Sequence, residues 1–263
     1  MITRCSSTFP QTARSARGFT LVELMVAVAI ALFLLGGLAM IVQNTRKENV
    51  NQQQLAMLQD EQRFATTVLN DIIQEGGHYP SATAQTQSSA LLAVGATLKA
   101  GQAFYGSHSA GYPGTPDTLT VRFETTGGDG LIMCDGSTNT AAAGTDVVET
   151  NAFTVVPPAG NVPGQLLCAL NGNAAVPLVN GIQSLEVFYG VNRNAPTVNY
   201  NVDTYLTADQ MNAAGAAGGD WMNISSVRIV LTFTNPLAGQ PGQQPTITFE
   251  RVVPVMGRAG FHS

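Results

Sequence analysis

Arg17-Gly18-Phe19-Thr20-Leu21-Val22-Glu23-Leu24 is the stretch whose reading decides the fold, because it sets one carboxylate into an apolar run that follows a short basic segment. The run covers residues 19–42, and Glu23 is its only charge. As an α-helix it is roughly 36 Å long at ~1.5 Å per residue, against a hydrocarbon core of ~30 Å. It is long enough to span a membrane.

An acidic group at mid-bilayer is disfavoured by about 2.5–3.5 kcal/mol on insertion scales, and by less near an interface, so it needs a partner. Two partners present themselves. Thr20 and Glu23 have the Ser/Thr-x-x-Glu spacing of a capping box, in which Glu23 satisfies free N–H groups at the helix start. Alternatively, cleavage after Gly18 would make the Phe19 amine a positive charge one helical turn from Glu23, ready to pair within one chain or between neighbours. An ordinary secretory signal has an apolar core of about 7–15 residues and then a small-residue cleavage site. Here the run is longer and leads straight into helix-forming sequence, and Ala27-Val28-Ala29 lies inside it, where signal peptidase is not expected to reach. A plain uncleaved anchor stays open. Arg4, Arg14 and Arg17 precede the run without an acidic residue, which predicts a cytoplasmic leader and a chain whose bulk faces the periplasm or exterior. Arg46 and Lys47 are a weak counter-signal, offset by Glu48.

These residues resemble the class III signal of type IV pilins and pseudopilins: a short basic leader, Gly, Phe, then Thr-Leu-Val-Glu and a long apolar helix. In that family a prepilin peptidase cuts after the glycine and methylates the new phenylalanine amine, and the glutamate guides docking into a helical filament. The resemblance therefore implies cleavage between Gly18 and Phe19, methylation of Phe19, and an assembly role for Glu23.

The chain has 263 residues, 44% of them apolar, which suits one globular domain once an anchor is set aside. Loss of the leader takes three of twelve basic residues, leaving nine against seventeen acidic ones and a net charge of −8. No basic run follows the leader, so nothing attracts nucleic acid electrostatically. Cys5 would leave with the leader, and Cys134 and Cys168 remain as an even pair, which reads as a disulfide in an oxidising compartment. Closing a loop of about 34 residues stabilises a fold by up to ~3–4 kcal/mol in the chain-entropy account. No CxxC or Cys/His cluster points to a metal or redox site.

Beyond Val42 the sequence turns polar but keeps a helical stripe, Leu55, Leu58, Ala65, Leu69 and Ile72, which predicts an amphipathic helix packed on the chain's own sheet rather than a coiled coil. Gly76-Gly77 marks its end, with Pro80 just beyond. A helix continuous over 19–75 is about 85 Å long, with Gly36-Gly37 as its one weak point. From 81 onward, short alternating runs are separated by Gly, Pro, Asn and Ser. Leu119, Val121 and Phe123 alternate with Thr120, Arg122 and Glu124, and further strands are predicted at 153–156, 165–170, 182–189, 227–234 and 246–252. Val227, Ile229, Leu231 and Phe233 share the face that should cover the helix. Segments 81–117, 127–152 and 191–222 read as loop-rich, the usual seat of exposed function.

The expected fold class is thus α+β: a long N-terminal α-helix, its first half transmembrane, packed on an antiparallel β-sheet domain with long loops. The expected domains are a leader (1–18), a transmembrane and assembly helix (19–42), the amphipathic half of that helix (43–76) and a periplasmic β-rich domain (77–263).

Asp117-Thr118-Leu119-Thr120-Val121-Arg122, Cys134-Asp135-Gly136, Leu166-Leu167-Cys168, Pro177-Leu178-Val179-Asn180-Gly181-Ile182, Phe188-Tyr189-Gly190-Val191 and the run 221–231 look like the PilW-type minor pilins, in family order. The resemblance implies a low-abundance subunit that primes pilus assembly near the tip, with other minor pilins, the major pilin and an adhesin-like protein as partners. It also supports the Cys134–Cys168 bridge. Where some relatives are rich in Asp and Gly after Tyr-Gly-Val, this chain has Asn192-Arg193-Asn194-Ala195-Pro196-Thr197, and Asp203 and Asp209 lack EF-hand spacing, so no calcium site is expected. Gly127-Gly128-Asp129-Gly130 reads as a turn. His78, His108 and His262 are widely spaced, without a nucleophile elbow or HExxH, and Asp60-Glu61 fall on the polar side of the helix, so no catalytic residue, metal or cofactor is expected. The reading is a non-enzymatic subunit, processed at the inner membrane and carried to the pilus. A type II secretion pseudopilin shares the same N-terminal logic, and a membrane-anchored periplasmic enzyme is the distant third reading.

Overall fold

Helix α1 runs over Leu21–Glu75, and its two halves obey different rules. A computed structural model of the chain describes residues 18–95, 97–109, 115–193, 201–213 and 220–256. The chain divides into two units between Gln52 and Gln53, inside α1. In the first unit every described residue through Val50 is exposed. In the second, Ala65, Leu69, Ile72 and Ile73 are buried, with Leu58 and Val68 packed at the margin. Leu58, Ala65, Leu69 and Ile72 belong to the expected stripe, Val68 and Ile73 extend it, and Leu55 is only half-buried and outside the core, so that one side of the helix meets the core. The helix stops at the expected glycines for two separate reasons. Gly77 adopts φ +81°, and its N–H donates to Arg122 O at 2.9 Å. A Cβ at Gly76 would lie 2.2 Å from the Phe104 ring, so only glycine lets that ring close on the helix end.

The rest of the second unit is built on two antiparallel sheets. The first has the order β1 (Phe104–Ser107), β2 (Thr118–Thr126), β3 (Asp146–Val156), β4 (Gln165–Leu170), β5 (Val176–Asn180). The second has the order β7 (Thr204–Leu206), β6 (Ile182–Val191), β8 (Ile224–Thr234), β9 (Thr246–Pro254). Gly181, at φ +76°, turns the chain from one sheet into the other between β5 and β6. Short helices α2 (Gln87–Ala90) and α3 (Ala208–Asn212) and a 3-10 turn at Trp221–Asn223 fill the connections. This is an α+β pilin-like fold, with a long apolar N-terminal helix and antiparallel sheets after it.

One core joins the pieces. Val227, Ile229, Leu231 and Phe233 on β8 are buried, as their alternation requires, in the cluster that holds Leu69 and Ile73 of α1. Gln62 and Thr66 of the helix border the same cavity as Ile229 and Leu231. A polar clasp fixes one sheet on the other. Asp117, just before β2, donates its N–H to Leu185 O at 2.8 Å, and its carboxylate accepts the Val187 N–H at 2.9 Å, both on β6.

The fold adds to what alternation and loop composition show at three places. Two polar positions of β2 are interior: Arg122 is fully buried, with the chain at Leu92, Lys99 and Gln102 folded over it, and Glu124 is nearly so. Arg122 donates to the carbonyls of Leu92, Lys99 and Gln102, replacing the water that its charge gives up. Segment 127–152 is not all loop, since β3 begins at Asp146. Val147 and Val148 are adjacent rather than alternating, and it is pairing with β2, from Thr126↔Asp146 onward, that extends the strand. Segments 81–117 and 191–222 likewise hold α2, β1, β7 and α3, elements of three to five residues that are too short for a periodic signal.

Candidate assembly site

The start of α1 is held by Thr20. Leu24 N–H donates to Thr20 O at 3.2 Å, and Glu23 N–H to Thr20 Oγ1 at 3.3 Å, the threonine half of a capping box. Among the described residues the Glu23 carboxylate makes no return bond to Thr20 N–H, so the exposed acid is not consumed by its own helix end. Phe19 is 79% exposed. Gly18 meets no obstacle: a Cβ there would touch nothing within 4 Å, and its backbone is outside the left-handed region. Gly36 and Gly37 lie within α1 without interrupting it. The most apolar 18-residue window of this helix has a mean hydropathy of 2.8, and none of it is buried. A helix apolar all round, with none of this window buried among the described residues, is suited to lipid or to a bundle of like helices.

Comparison with known families agrees with that geometry at both ends of the chain. Residues 13–39 match the prokaryotic N-terminal methylation motif, and residues 153–255 match the type IV pilus-assembly protein W family, PilW. The two matches support a PilW-type minor pilin. No curated protein matches the chain. The PilW match takes in the last four residues of β3 and all of β4 to β9, including the blocks at Leu166, Pro177, Phe188 and Trp221, whereas those at Asp117 and Cys134 lie outside it. These matches point to a structural pilus component rather than an enzyme, anchored through its apolar helix and working with other pilus components and a prepilin peptidase.

In this pilin-like domain Cys134 and Cys168 are bonded, with Cα atoms 6.0 Å apart across 34 positions. The bridge lies in the core and ties the chain between β2 and β3 to β4. Asn151 on β3 steadies it, its Oδ1 accepting the Cys134 N–H at 2.9 Å.

The remaining polar candidates serve the fold. Asp129 accepts from Thr125 Oγ1, Thr126 N–H and Leu131 N–H. Burial alone would raise its pKa, but these bonds outweigh it and hold the carboxyl below its ordinary value, as befits a carboxylate that closes a turn. Asp203 accepts from Arg193 N–H at 3.3 Å, with the guanidinium 3.8 Å away. Among the described residues no three His, Cys, Asp or Glu side chains gather closely enough to hold a metal. His108 Nδ1 lies 3.0 Å from the buried Asp117, a pair that sequence reading missed because nine positions separate the two residues. Its neighbour Ser107 Oγ is occupied by Thr118 Oγ1 at 2.8 Å. His78 bonds to β2 through its carbonyl, which accepts the Glu124 N–H at 2.8 Å. His262, the leader residues Arg4, Cys5, Arg14 and Arg17, and the stretch 194–197 lie outside the described residues.

Proposed function

We propose that this protein is a minor pilin that primes assembly of a type IV pilus and belongs to the initiating complex at its tip. The observation that carries the reading is an apolar helix start with a single free carboxylate, Glu23, one turn from Phe19. In that reading prepilin peptidase removes residues 1–18. Gly18 is compatible with this, because a Cβ there would touch nothing within 4 Å among the described residues. The Phe19 amine, methylated, is then the positive partner that Glu23 of another subunit seeks as helices leave the membrane. Attraction between opposite charges at ~4 Å grows from ~1 kcal/mol in water to several kcal/mol where water is scarce, enough to set the register of one helix on the next. The globular domain faces the periplasm before assembly and the cell surface afterwards. Other minor pilins, the major pilin and an adhesin-like tip protein are its partners, and no enzymatic step or nucleic acid enters.

The first test is the intact mass of the membrane-extracted protein, without reductant. The expected species begins at N-methylated Phe19 and is two hydrogens lighter than the free thiols require. A chain that still begins at Met1 defeats the reading. Glu23→Ala is expected to abolish surface pili while leaving the protein in the membrane, and piliation equal to wild type removes the role given to Glu23. Deletion of the gene should cost twitching and surface pili; loss of protein secretion instead would make the chain a pseudopilin.

A further inference from the structure

A cavity of about 510 Å³ opens where β1, the end of α3 and the 3-10 turn meet, with Lys99, Tyr105, Asn212, Asp220, Trp221 and Met222 on its wall. That size is within the ~300–1,000 Å³ of small-molecule sites. Lys99 and Asp220 are the charges on the lining, and they are opposite, so the cavity is neutral as a whole. Its aromatic wall is fixed. Trp221 Nε1 donates to Asn212 Oδ1 at 2.9 Å, and the indole is braced by Tyr105 at 5.7 Å and edge-on by Tyr189 at 4.8 Å between ring centres. Two of the polar groups are half committed. Asn212 spends its carbonyl on the indole and Asp220 spends Oδ1 on Met222 N–H at 2.9 Å. Asn212 Nδ2, Asp220 Oδ2, Lys99 Nζ and Tyr105 Oη make no hydrogen bond among the described residues.

We propose that this cavity binds a neutral mono- or disaccharide, a function beyond pilus assembly and independent of it. A pyranose offers two things at once: a patch of C–H groups that packs on an aromatic ring, and adjacent hydroxyls that both give and take hydrogen bonds. The free atoms match the second requirement, since the Asn212 amide and Lys99 ammonium donate, Asp220 Oδ2 accepts, and Tyr105 Oη does either. Trp221 and Tyr105 meet the first. An anion would confront Asp220, and a cation Lys99. A wholly apolar ligand would strip water from four polar groups and give nothing back.

Trp221 is the only tryptophan in the chain, so intrinsic fluorescence reports on this site alone. The full-length protein in a sugar-free amine-oxide detergent is titrated with maltose, cellobiose, lactose and diacetylchitobiose, with sialyllactose as the charged comparison. The expected result is a saturable change in emission with at least one neutral sugar, at a Kd below ~10 mM, and a matching calorimetric heat. Asn212→Asp keeps the acceptor for the indole but removes the amide donors, and Asp220→Asn keeps the acceptor for Met222 but removes the carboxylate. Each should weaken binding about tenfold, and Lys99→Met, at an exposed side chain outside the core, by a smaller factor. No signal with any neutral sugar up to ~10 mM overturns the proposal. So does unchanged affinity in all three variants, or tighter binding of sialyllactose than of every neutral sugar.

Discussion

Glu124 is where burial and charge conflict most openly. Its side chain is 7% exposed and one carboxylate oxygen has no partner. Burial first, and then the charge of Asp146, raise its pKa above the ordinary carboxyl value, with His78 pulling the other way. A raised carboxyl favours the protonated fold, so its contribution is intact below the unfolded pKa, ~4.3, and is lost as pH rises through the higher folded value. Glu124→Gln, neutral at every pH, should therefore melt higher than wild type at pH 7 and lose that advantage near pH 4. An equal advantage at both pH values would refute desolvation as the cause. Arg122 shows the opposite solution, a buried charge with every direction filled. Burial lowers its pKa, yet three carbonyls receive its guanidinium. Arg122→Met strands those carbonyls and should cost ~3 kcal/mol or more, read as a lower urea midpoint, since bonds to charged groups are worth ~1.5–3 kcal/mol each. Neither residue announces itself in sequence. Both occupy the polar positions of a clean alternation, and only their neighbours in the folded domain put them in the dark.

The element that differs most along its length is α1. Its first turns carry no buried residue, while Leu69 and Ile73 are wholly buried. Leu69→Ala should destabilise the domain by about 2–5 kcal/mol through the cavity it leaves. Met57→Ala, at a side chain 66% exposed on the same helix, should fall within ~0.5 kcal/mol. Thermal melts of the two variants check the pair; equal losses would mean that the stripe has been assigned to the wrong side. The helix was legible because a 3.6-residue period persists over many turns and a glycine pair ends it. The long strands β4, β6, β8 and β9 were legible as alternating runs, to within three residues at either end. The strands β1, β5 and β7 were not, since strands of three to five residues owe their form to the neighbour they pair with.

At the scale of the whole domain, two devices join parts that sequence keeps apart. One is covalent. Replacing both Cys134 and Cys168 by serine should lower stability by ~3–4 kcal/mol, measured by denaturant unfolding without reductant, because the open chain regains the entropy of a long loop. A loss under ~1 kcal/mol would mean that the surrounding packing already fixes the loop. The other device is the Asp117 clasp, which pins the first sheet to β6. The sequence by itself determined the apolar anchor, its lone carboxylate, the cysteine pair and the α+β class, for these rest on composition and short-range period. Only the tertiary structure decided that the strands form two sheets, that Arg122 is interior, that His108 meets Asp117, and that Trp221 walls a cavity with Tyr105 and Asn212. Those outcomes depend on which distant segments cover one another, and burial, unlike periodicity, is a property of the neighbours rather than of the residue.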